Sequence, residues 1–133
     1  MDNLIVGSNV PIKLKVSVQT ESIPTTYGFL YNSKNDANPY SNIAPFNSSL
    51  DNEWKELDGG NPVNGKIFRV RTFFKFVNSF PNEETFNMAV KQIRDTYYPE
   101  ISGGNPSPYQ MSFTLDSFFD TKTCIAMSEL ELI

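Results

Sequence analysis

The amino-acid sequence predicts a mainly β fold: an antiparallel β-sandwich of jelly-roll or immunoglobulin-like kind with one inserted α-helix near residues 83–97. Three observations predict it. Residues 12–19 and 66–77 alternate their side chains at the period of two that a strand requires. Residues 83–97 alone repeat apolar side chains at clear helical spacing. Clusters of Gly, Pro, Asn, Asp and Ser separate these segments, as turns do between strands. One helix among about six strands suits two packed β layers with the helix closing one end. The alternative is an α+β fold in which a single sheet packs one face on that helix.

In chain order, the run Ile12 to Gln19 places Ile12, Leu14, Val16 and Val18 on one face and Lys13, Lys15, Ser17 and Gln19 on the other. Residues Thr26 to Tyr31 have strand propensity, and Gly28 in their midst predicts a bulge or a close backbone approach. Asn32 to Asp51 is rich in Asn, Ser and Pro, shows neither period, and reads as a long loop over Tyr40, Ile43 and Phe46. Glu53 to Leu57 reads as a short strand joined to the next one as a hairpin, with Asn64-Gly65 supplying residues that tolerate positive φ. Lys66 to Val77 is the strongest strand, with Phe68, Val70, Thr72, Phe74 and Phe76 on one face. Ile67, Arg69, Arg71, Phe73, Lys75 and Val77 occupy the other, and bulk on both faces predicts a central position.

Asn82 is placed to cap a helix whose first turn carries Glu83 and Glu84, where the macrodipole favours carboxylates. Phe86, Val90, Ile93 and Tyr97 line one face of that helix, which ends near Pro99. Ser102 to Pro108 reads as a second loop, and 111–115 with 123–133 as a closing hairpin. Val16, Phe68, Val70, Phe74, Phe76, Phe86, Val90 and Ile93 are the expected core.

The 133 residues have the length of one β-rich domain, 1–133, and a globule of that size buries roughly two thirds of its unfolded surface. Eleven basic against fifteen acidic residues, a net charge of −4, argue against nucleic acid as a partner, since its binders carry a basic excess. The longest apolar runs are too short to span a membrane as a helix. No ordinary secretory signal is visible, which points to the cytoplasm or to release by another route.

The sequence has no histidine, so Ser-His-Asp and Cys-His catalysis and His-based metal sites are all excluded. Its one cysteine, Cys124, alternates with Ala126, Ser128, Leu130 and Leu132 and reads as a small buried hydrophobe. Asp51, Glu53 and Asp58 offer oxygen ligands for Ca²⁺, but their spacing does not match an EF-hand loop. No cofactor is indicated.

Five of the cations gather on two strand faces: Lys13 and Lys15 on one, Arg69, Arg71 and Lys75 on the other. They form a candidate interaction surface, unless Glu129 and Glu131 pair with them inside the sheet. Tyr27, Tyr31, Tyr40 and Trp54 are candidate contacts for a sugar or a protein partner. The function expected is a non-enzymatic structural or interaction module, a subunit of a larger assembly such as a virion, tail, injection apparatus, fibre or toxin complex, or a homo-oligomer. A carbohydrate-binding module is the first alternative and a histidine-free enzyme the second.

Overall fold

A computed structural model describes residues 2–7, 12–35, 41–46, 54–56 and 63–133. The described chain is mainly β with one helix, and the strands form two sheets. In chain order they are β1 (Asp2–Val6), β2 (Lys13–Ser17), β3 (Ile23–Tyr31), β4 (Ser41–Phe46), β5 (Lys55–Glu56) and β6 (Ile67–Lys75). After the helix α1 (Glu83–Thr96) come β7 (Tyr98–Ser102), β8 (Gly104–Asn105), β9 (Tyr109–Gln110), β10 (Thr114–Phe118) and β11 (Thr123–Leu132). The first sheet has seven strands in the order β4-β3-β6-β11-β1-β8, with β10 also paired to β11. The second has four, β5-β2-β7-β9.

β6 is central, as its sequence predicts, held between β3 and β11 over its whole length. β11 is wide enough for two neighbours on its other edge: its first half pairs with β10, and Leu130 to Leu132 pair with β1. The β1–β11 pairing is parallel, whereas every other pairing among the described residues is antiparallel.

All eight residues expected in the core are buried. They join Leu4, Leu14, Leu30, Ile101, Met111 and Leu132 in one cluster that spans both sheets and the helix. The α1 helix starts where Asn82 Oδ1 accepts the Thr85 backbone N–H at 2.9 Å, and ends where the Tyr97 N–H donates to the Ile93 carbonyl at 2.8 Å. Phe86 meets Phe76, Phe80 and Phe119 with ring centroids 5.4–5.6 Å apart, which fixes the helix over the far end of β6. Tyr97 closes the other end of the contact, edge-on to Phe74 and Phe113. Its hydroxyl shares a hydrogen bond of 2.7 Å with Thr72 Oγ1, which shares another of 2.9 Å with Thr26 Oγ1. Three buried hydroxyls on β3, β6 and the helix end therefore satisfy one another.

The structure departs from the sequence expectations in five places. Ser41–Phe46, inside the stretch read as a loop, is a strand that pairs, among the described residues, with β3 alone. As an edge strand it tolerates Pro45, and its register with β3 shifts between Thr26 and Gly28, where the sequence predicts a bulge. Lys55–Glu56 pairs with β2 in the second sheet rather than forming a hairpin with β6. Gly104–Asn105, within the second predicted loop, is a two-residue strand on β1. The closing hairpin uses Thr114–Phe118, three residues later than the alternation at 111–115 suggests, because Met111 is drawn into the core and its N–H bonds to the Pro99 carbonyl at 2.8 Å. Finally, β1 and β7 were not expected as strands, and both carry buried residues: Leu4 and Val6, Pro99 and Ile101. Gly65 has φ of 81°, the conformation expected at that turn.

Candidate interaction surface

The inward side of the first sheet is taken by the core, and its outward side follows from strand register. One row across that side reads Ile23, Lys75, Thr123 and Phe118, from β3 through β6 and β11 to β10. The next reads Thr25, Phe73, Ile125 and Asp116, and the third Tyr27, Arg71, Met127 and Thr114. A fourth holds Phe29, Arg69 and Glu129. Ile23, Phe73 and Phe118 are 53%, 40% and 46% exposed, and Tyr27, Phe29, Ile125 and Met127 are partly exposed.

The aromatic rings on this side touch in a chain. Tyr27 and Phe29 lie nearly parallel with centroids 6.2 Å apart, Phe73 meets Tyr27 edge-on at 5.8 Å, and Phe29 reaches Tyr31 at 6.4 Å. A shallow depression of about 420 Å³ is lined by Thr25, Tyr27, Phe29, Arg71 and Phe73. A second, of about 540 Å³, lies on the other side of Arg71 and is bordered by Asp2, Ser112, Thr114 and Glu129. Arg71 is thus the wall between an aromatic hollow and one of mixed polar and apolar lining.

The five candidate cations divide by sheet and by pairing. Arg69 is engaged inside the sheet: its Nε donates to Glu129 Oε2 at 2.7 Å, its Nη2 donates to the Lys34 carbonyl at 2.8 Å, and its guanidinium lies 4.3 Å over the Tyr31 ring. The bond to Glu129, placed directly opposite by register, raises the Arg69 pKa. Lys15 on the second sheet is likewise engaged, 3.5 Å from Glu100 and 4.9 Å above the Trp54 ring. Lys13 is exposed on the same sheet, opposite Glu56 in register. Arg71 and Lys75 are exposed and have no acidic partner among the described residues.

Among the four candidate aromatics, Tyr27 and Tyr31 share the outward side of β3, but Tyr31 is covered, at 7% exposure. Trp54 lies beside the second sheet against Lys15, and Tyr40 falls outside the described residues. Asp51, Glu53 and Asp58 also fall outside them; among the described residues no three metal-ligating side chains converge. Cys124 is buried opposite Phe74, and burial pushes its thiol up to about 11 against the pull of Arg94, far from the thiolate a nucleophile needs.

Sequence reasoning named Tyr27, Arg71 and Lys75, but missed Phe29, Phe73, Ile125, Met127 and Phe118 as members of the same surface. The alternation that put Phe74 in the core also turned Phe73 outward, and that was the available signal. No helix among the described residues is long and apolar enough to cross a membrane. No protein-family model, no curated protein and no solved structure matches the chain.

Proposed function

We propose that this chain is a non-enzymatic interaction module that docks on another protein through the outward side of its seven-stranded sheet. The observation that carries the reading is the composition of that side. An antiparallel sheet with one solvated face ordinarily alternates apolar inward and polar outward residues. Here Ile23, Tyr27, Phe29, Phe73, Ile125, Met127 and Phe118 put apolar and aromatic groups on the outward side of four strands, among charged and threonine side chains. Contiguous exposed apolar surface marks contact sites, and aromatic residues with arginine are the side chains that dominate binding energy at them.

The partner's chemistry follows from the charges. Among the described residues, Arg71 and Lys75 stand beside these apolar groups with no carboxylate paired to them. A complementary surface therefore presents carboxylates set among apolar side chains, which steers encounter and fixes register.

Two surface variants test this, with Lys13→Glu on the second sheet as the control. Association of the protein, with itself or with a component of an extract of its source, should survive Lys13→Glu and be lost in Phe73→Asp and Arg71→Glu, with thermal unfolding cooperative in all three. If association is unchanged by Phe73→Asp, the working surface lies elsewhere. If a glycan binds instead, and Tyr27→Ala abolishes that binding while no protein associates, the carbohydrate reading replaces this one.

A further inference from the structure

We infer that the partner is a second copy of this chain, packed face to face on the outward side of the first sheet. The inference rests on the docking surface proposed above and adds the identity of what covers it. The surface carries its own complement. Asp116, exposed on β10, has no cationic partner among the described residues and lies in the row of Phe73, between the row of Lys75 and the row of Arg71. Within one chain it stands two strands from either cation, about 10 Å at the usual strand spacing, with all three side chains pointing away from the sheet, and it is paired with neither.

A two-fold axis lying in the contact plane and running along the strands between β6 and β11 brings these groups together. It sets β3 over the partner's β10 and β6 over its β11, keeping each row level. Phe73 of each copy then rests on Ile125 of the other, and Tyr27 on Thr114. Asp116 of each copy comes down on the row of Thr25, one strand from Arg71 and Lys75 of the other, within reach of both long side chains. Aligned sheet packing of this kind separates the layers by about 10 Å and crosses the strands at about 30°, which leaves the axis close to the strand direction. The other two-fold arrangement, with its axis across the strands along the Phe73 row, lays Arg71 of one copy over Lys75 of the other. Like charges across a contact oppose it. The contact is isologous, so one patch supplies both halves and the assembly closes at two copies.

Sedimentation equilibrium on the full chain tests the inference by charge exchange. The wild type should form dimers that weaken as salt rises. Arg71→Glu and Asp116→Lys should each weaken the dimer by about tenfold or more, since each places like charges in the contact. Carrying both changes in one chain should restore most of the affinity, which a merely destabilised fold would not do. Dimers unaffected by all three variants would overturn the two-fold arrangement. A wild type that stays monomeric but captures a different protein, lost in Phe73→Asp, would overturn self-association and leave the docking surface standing. A wild type that associates with nothing would overturn both.

Discussion

Alternate residues of β6 meet two different environments, although they share one strand and one set of backbone bonds. Phe68, Val70, Thr72 and Phe74 are sealed beneath the helix and the second sheet, while Arg71, Phe73 and Lys75 look outward. Phe73 and Phe74 are the same residue type one position apart, and one is 40% exposed while the other is fully covered. What distinguishes Phe73 from Phe74 is coverage rather than residue type. The inner face is finished by the chain itself, and the outer one has aromatic and aliphatic groups that nothing among the described residues covers.

The sharpest way to break that comparison is to truncate the two phenylalanines in turn. Phe74→Ala should destabilise the isolated chain by about 3–5 kcal/mol, through lost transfer energy and the cavity left beside Tyr97. Phe73→Ala should change stability by less than about 1 kcal/mol, because exposed positions lose little packing. Denaturant titration of both variants measures the difference, and equal costs would mean that the two faces are equally buried in solution.

A smaller effect should appear at high pH and belongs to the inner face alone. Burial raises the Tyr97 phenol above its ordinary 10.0 and the Cys124 thiol from 9.0 to about 11. Both groups are held neutral in the folded state, so their contribution is complete below the unfolded values and is lost as pH rises and the unfolded chain ionises first. Stability should therefore fall between pH 9 and 11. Cys124→Ala should flatten the early part of that fall, and Tyr97→Phe the later part. Thermal unfolding across the range checks it, and a flat profile would show that neither group is sealed.

The smallest change is expected where the outer face already satisfies itself. Arg69→Met removes the bond to Glu129 and the contact over Tyr31. Cross-strand pairs of this kind contribute roughly 0.2–1 kcal/mol, so the melting temperature should drop slightly and association should be unaffected. Loss of association in Arg69→Met would extend the contact surface by one row.

The sequence made β2, β6 and α1 legible because their periods run unbroken, for β2 over residues 12–19, beyond the strand itself, and Asn82 marked the helix start through its capping chemistry. The strands β1 and β7 were not legible. Leu4 and Ile101 are placed by partners far away in the chain, β11 and β2, and the residues around them show no sustained alternation. The Ser41–Phe46 strand was hidden by Pro45, a residue that an edge tolerates and that local reasoning takes for a breaker. For the surface, alternation identified which cations point outward, but only register separated Arg69, already held by Glu129, from Arg71 and Lys75.

The placement of β11 has a consequence for how the molecule is made. Of the described strands it is the last in chain order, yet β6, β10 and β1 all depend on it, and β1, the earliest of them, pairs with it through Asp2 and Leu130. A nascent chain holding everything up to Phe118 has its helix and the β3–β6 pair available, but β10 lacks its sheet partner and β1 lacks its parallel one. Such non-local pairing must first close a long loop, which places the fold among slow-folding β topologies. During that wait the edge of β6 that β11 takes has its backbone groups unpaired, an open template for pairing with another strand until β11 arrives.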